Sequence, residues 1–230
     1  MSTKVIESLL SNECTHCIQS RVKNADQIDV AWRDDKNGGY WPKPYQASGL
    51  RPHAVKAIVI GQDPTIENPR SVEYALEANV EGSSLGRFVR EVFGMLPGTR
   101  FDEIYFTNLV KCRFREKPGR DKRNISEFIT DIASECYSKF LSHEIRECTN
   151  AKYLFTLGRD TFAVLSRIIG VAHPSQDRFK LFYGTKFDIP VGSIGRTCYL
   201  VPLPHQPTYD LAVRYSPYGR EEVRKKLQAL

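Results

Sequence analysis

At 230 residues, 41% hydrophobic and 26% charged, the chain has the make-up of an ordinary soluble globular protein long enough for one sizeable core. No apolar stretch approaches the roughly 20 residues that cross a bilayer, and the start MSTKVIESLL lacks the apolar core and cleavage site of a signal peptide, so a cytoplasmic protein without a membrane partner is expected. A formal charge of +6 and a pI near 9.0 are compatible with a polyanionic partner, although many basic proteins bind no nucleic acid.

In chain order, VIESLL has helical spacing and leads into the pair Cys14 and Cys17, and residues 34–52, rich in Gly, Pro and polar side chains, read as a long loop. AVKAIVI at 54–60 is a near-continuous apolar run of strand length, the kind buried on both faces of a parallel sheet. Leu85, Phe88, Val89, Val92, Phe93 and Leu96 fall on one face of a helix, with Ser83 or Ser84 as its cap. EIYFTNLV at 103–110 is a second strand, followed by a basic loop and a helix with Ile125, Phe128, Ile129, Ile132 and Cys136 on one side. KYLFTLG at 152–158 is a third strand that runs into a helix marked by Phe162, Leu165, Ile168 and Ile169. After a loop-rich stretch of hairpin character, CYLVPLP at 198–204 is a fourth strand, and SPYGREEVRKKLQAL reads as a closing helix.

Alternating strand and helix predicts one α/β domain over residues 1–230. Its form is a three-layer α/β/α sandwich around a central four-stranded parallel sheet, with residues 1–53 supplying the N-terminal helix, the cysteine pair and the loop, and 54–230 the core. Ligands of such sheets sit at the carboxyl ends of the strands. Gln62, Asp63 and Thr65 follow the first strand, Asn108 ends the second, and His205 follows the fourth. Taken singly, each is compatible with an ordinary turn or cap. Together, a carboxylate to position water, an amide to read donors and acceptors, and an imidazole to stabilise a leaving anion suit hydrolysis.

These residues carry a resemblance. GQDPT at 61–65 resembles the first motif of the uracil-DNA glycosylase superfamily, in the GQDPY form of its first family. YFTNLVKCR resembles the second-strand segment of the superfamily's iron–sulfur family, and PLPHQP its histidine motif. AHPSQ at 172–176 is a closer literal match to that motif, but His173 follows a helix, so His205 is the expected histidine. The resemblance implies a hydrolase that releases uracil from DNA. In it Asp63 positions water, Asn108 recognises the base edge, His205 bonds O2 of the departing base, and Gly61 and Gln62 line the pocket. Tyr74, the aromatic eleven residues beyond Asp63, would stack on the flipped base, or else pack in the core. Thr65 stands where the first family has a tyrosine that excludes thymine's methyl group. Where the iron–sulfur family has glutamate then alanine, this chain has Gln62 and Asp63, so its site is a hybrid.

The same resemblance implies a structural 4Fe–4S cluster on Cys14, Cys17, Cys112 and Cys136, none of it needed for the chemistry. Zinc on these thiols and no metal at all stay open, since Cys136 also lies where a plain core cysteine would. Cys148 and Cys198 read as structural. The segment 111–124 holds seven basic residues against two acids. It is either a solvated loop or a phosphate-contacting one, with Lys111 and Arg113 its expected DNA contacts. Tyr209 is the expected wedge into the duplex. The partner implied is DNA carrying uracil or another damaged base, bound by a monomer. Release of hypoxanthine or mismatched thymine, and a nucleic-acid-binding protein that has lost catalysis, are the alternatives.

Overall fold

The computed structural model describes residue 23 and residues 51–64, 75–78, 84–94, 96–112, 114, 125–172, 179, 181–205 and 220–230. The expected N-terminal helix, the Cys14/Cys17 pair, Ser83 and residues 34–50 lie outside the described residues.

The apolar runs form β1 (Ala57–Gly61), β2 (Ile104–Asn108), β3 (Tyr153–Leu157) and β5 (Tyr199–Leu203), all mutually parallel. A fifth strand, β4 (Phe187–Asp188), pairs antiparallel with β5, and the order is β2-β1-β3-β5-β4. The sheet therefore has five strands rather than the four expected. β4 comes from the stretch of hairpin character, and its two residues, one half-buried and one exposed, carry no apolar run that would announce it. Its shortness also explains how Pro202 sits inside a strand. β4 reaches only Leu200 and Tyr199, so beyond them β5 is an edge on that side, where a missing N–H breaks no ladder.

Side chains of the central strands alternate between two cores, as both-face burial requires. Ile58, Ile60, Tyr105 and Leu154 face one core, and Ala57, Val59, Ile104, Phe106 and Phe155 face the other. The second core is covered by α1 (Ser84–Phe93), whose Phe88, Val89, Val92 and Phe93 are buried as the helical spacing predicts. Phe93 packs edge-on against Phe106 and Phe155, at ring-centroid distances of 6.1 and 5.2 Å. Each such buried side chain contributes about 1.5–3 kcal/mol. The first core is covered by α2 (Ile125–Cys136), which passes through a π turn at Tyr137–Leu141 into α3 (Ser142–Glu147), and by α4 (Arg159–Ile169). A short α5 (Val191–Ile194) precedes β5, and α6 (Arg220–Gln228) buries Val223 and Leu227 against the second core. The result is the expected three-layer sandwich. Among the described residues no helix is long and apolar enough to cross a membrane.

Candidate active site at the strand ends

The chain leaves β1 toward β2 on one side and returns through β3 on the other, which makes the β1/β3 boundary a topological switch point. The strand ends are in register there. Gly61 is paired with Asn108, the Leu109 and Val110 amides donate to the carbonyls of Gly61 and Gln62 at 2.8 Å each, and the Gly158 amide donates to Leu203 at 2.8 Å. With parallel strands about 4.8 Å apart, the row from Asn108 past Asp63 and Gly158 to His205 spans roughly 14 Å, room for one nucleotide laid across it.

Asn108 is buried at 4% exposure, and its carbonyl Oδ1 has no hydrogen-bond partner among the described residues. An orphaned buried acceptor is costly and, at a strand end, is what a site for a donor-bearing ligand looks like. Gly61 makes this placement possible. A Cβ there would lie 2.4 Å from Asn108 Oδ1 and 2.7 Å from Cδ2 of Leu76. The Asn108 carbonyl and the Leu76 methyl thus crowd the same small volume over Gly61. Leu76, in a 3-10 turn at Ala75–Glu77, holds a left-handed backbone (φ 59°, ψ 20°), rare for a branched side chain and costing roughly 1–3 kcal/mol. Arg90 of α1 donates to the carbonyl of Ala78 at 3.0 Å and anchors that turn.

Asp63 is half-buried just past β1, and the Gln62 side-chain amide donates to its Oδ1 at 2.7 Å. Gln62 therefore orients the carboxylate. His205 keeps contact with solvent, yet enough protein surrounds it that loss of hydration pushes its pKa below the ordinary 6.5, so the imidazole is neutral at pH 7. His205 stands next to Gly158, whose φ of +90° lets β3 turn directly into α4; a Cβ on Gly158 would meet His205 Cβ at 3.5 Å.

One expected site residue is corrected. Lys111 does not offer its ammonium to DNA. It is buried at 4% exposure, 2.7 Å from Glu144 Oε1, and donates to Glu144 Oε2 at 2.9 Å and to Thr107 Oγ1 at 2.6 Å. The residue just past the end of β2 is pulled inward by a carboxylate from α3, which the run of positive charge in the sequence hides. Thr65, Tyr74, Arg113, His173, Tyr209, Cys14 and Cys17 lie outside the described residues. Cys112 and Cys136, the two described candidate ligands, are both buried in one core cluster, Cys112 past β2 and Cys136 at the end of α2. Among the described residues no group of three or more candidate metal ligands comes together. Cys148 and Cys198 are buried, and their thiols are pushed up to about 12 and about 11 by burial, as inert structural cysteines should be.

The model of the uracil DNA glycosylase superfamily matches residues 48–213. The chain belongs to the uracil-DNA glycosylase superfamily. No curated protein matches it. Membership places the chain among the DNA glycosylases, with DNA as the class of substrate, and the matched span takes in Gly61, Asp63, Asn108 and His205. Three residues of this glycosylase-family site escaped the sequence reading. Gly158 was within reach, being the strand-end residue of β3. Leu76 looks like any apolar residue, and Glu144 like any exposed charge on a helix.

Proposed function

We propose that the chain is a uracil-DNA glycosylase, which hydrolyses the bond between uracil and deoxyribose and leaves an abasic site. The observation that carries this reading is the buried carbonyl of Asn108, which has no hydrogen-bond partner among the described residues. Uracil's N3–H is the donor such an acceptor lacks, and the amide of the same side chain would donate to O4; cytosine, with an unprotonated N3 and an amino group, would meet both groups with the wrong polarity. The Leu76 methyl and that carbonyl both reach over Gly61, so Leu76 would wall the base pocket beside Asn108, and a pyrimidine rather than hypoxanthine is the base this reading assigns to it.

The nucleotide must first leave the stack, at a cost of a few kcal/mol. As the glycosidic bond breaks, its electron pair stays on the base as an N1 anion and positive charge grows on the sugar. Neutral His205 donates a hydrogen bond to the base's O2, the Asp63 carboxylate stabilises the sugar cation, and a water held by Asp63 adds to C1′ and passes its proton, by way of that carboxylate, to the departing uracil anion. Gln62 keeps the carboxylate aimed. The reading retains Tyr74 as the stacking ring, Thr65 as the neighbour of the base's C5 edge, Arg113 as a phosphate contact and Tyr209 as the wedge. Cys14, Cys17, Cys112 and Cys136 would hold a 4Fe–4S cluster, which would tie the N-terminal segment to the end of β2. Incubation with duplexes carrying uracil, hypoxanthine or a thymine mispair, followed by alkaline cleavage at abasic sites, tests the proposal. Product from the uracil duplex alone is expected; binding without product from any duplex overturns it.

A further inference from the structure

We infer that Glu144, acting through Lys111 and Thr107, is a positioning residue for Asn108. The inference rests on the proposed role of Asn108 as the reader of the base edge. β2 ends with its side chains divided between the two faces of the sheet. Tyr105 points into the core roofed by α2, α3 and α4, and Phe106 into the opposite one, so by alternation Thr107 joins Tyr105 and Asn108 joins Phe106. The carboxamide is therefore on the front of the strand end and the Lys111 network on its back. There the ammonium bridges the Thr107 hydroxyl, on the strand itself, and the Glu144 carboxylate, on α3. Glu144 is 1% exposed, and its Oε1 lies 2.7 Å from the ammonium without a hydrogen-bonding angle. The neighbouring Tyr105 hydroxyl is buried with no hydrogen-bond partner among the described residues; burial first, and the charge of Glu144 second, push its pKa well above the ordinary phenol value.

This arrangement is a poor way to gain stability. Two desolvated charges and an orphaned hydroxyl give little net benefit over apolar side chains of similar size. What the network provides is direction. Hydrogen bonds at 2.6 and 2.9 Å fix where the 109–112 turn leaves the strand, and that turn has Asn108 at one end and Cys112 at the other. On the front of the strand end the Asn108 carbonyl has no hydrogen-bond partner among the described residues. Rear clamping compensates for that.

The test separates position from stability. Glu144→Gln removes the carboxylate charge beside the buried ammonium and is expected to lower both Tm and excision. The double variant Lys111→Met with Glu144→Leu removes both charges, and is expected to recover Tm to near wild type. It is also expected to lose about 10- to 100-fold in kcat/KM on a uracil duplex, the scale of a catalytic group misplaced by about 1 Å. Amide exchange at Leu109 and Val110, whose N–H groups bond to Gly61 and Gln62, is expected to speed up in parallel. A double variant with restored Tm, wild-type kcat/KM and unchanged exchange overturns the inference. Thr107→Val, which cuts the strand's link to the ammonium while keeping the ion pair, serves if the double variant does not fold; unchanged kcat/KM and exchange there overturn it equally. If wild-type protein releases no uracil, the functional proposal fails, and exchange at the two amides decides the clamp by itself.

Discussion

Replacing Gly61 by alanine adds one methyl group at the most crowded point of the site. The new Cβ would stand 2.4 Å from Asn108 Oδ1, where real contacts are essentially never under 3.0 Å, so the carboxamide must retreat by at least about 0.6 Å. Leu76, 2.7 Å from the same Cβ, must also give way. Both offending atoms are ends of side chains, so the fold relaxes cheaply and the stability loss is expected at the low end of the ~1–3 kcal/mol typical of overpacking. Recognition is less forgiving. A group misplaced by about 1 Å can lose 10²-fold in rate, so kcat/KM on a uracil duplex is expected to fall by roughly 10- to 100-fold, or about 1–3 kcal/mol of transition-state binding. Single-turnover excision beside thermal melting reads both quantities. Adding Leu76→Ala to Gly61→Ala relieves the second clash but not the first, so it should recover Tm and leave excision impaired. A Gly61→Ala protein that excises uracil within twofold of wild type would refute the reasoning.

Four further outcomes follow. The His205 ring, followed by NMR, is expected to titrate below its ordinary 6.5. The unfolded chain then takes up this proton first, so the group's contribution to stability is complete above about pH 6.5 and shrinks as pH falls; a midpoint above 6.5 contradicts the desolvated environment. Gly158→Ala keeps ordinary contact with His205 but forces an extended backbone with φ +90° on an L-residue, so a loss of about 1–3 kcal/mol in stability is expected with excision at the folded protein's level little changed. Leu76→Ala widens the space beside Asn108 and should raise the excision of hypoxanthine relative to uracil; an unchanged ratio removes Leu76 from the pocket wall. For the thiols, anaerobically purified protein should be brown with absorbance near 400 nm, and Cys136→Ala should lose that colour; colourless wild-type protein argues for zinc or for no metal.

Much of this was legible in the sequence because parallel sheets turn a one-dimensional pattern into a place. Four apolar runs of strand length, each followed by a helical repeat, put Asp63, Asn108 and His205 at the same edge. The pattern carries no information about which way a long charged side chain folds. Lys111 sits in a run of basic residues and reads as a DNA contact, yet a partner 33 residues away, Glu144, draws it into the core. β4 was hidden for a different reason. Two residues on a sheet edge need no apolar period, and only pairing with Leu200 and Tyr199 makes them a strand. Leu76 belongs to a third kind, a residue whose importance lies in a left-handed backbone that its side-chain chemistry disfavours.

Asp63 and its water lie at the centre of the account, and a single substitution tests them most directly. Asp63→Asn retains shape and a hydrogen-bonding group while removing the charge proposed to face the sugar. Under single-turnover conditions on a uracil duplex, abasic-site formation is expected to fall by about 10²–10³-fold, the usual effect of removing one electrostatic stabiliser from a transition state, with duplex binding retained. Wild-type rates of uracil release from Asp63→Asn would contradict the account at its core.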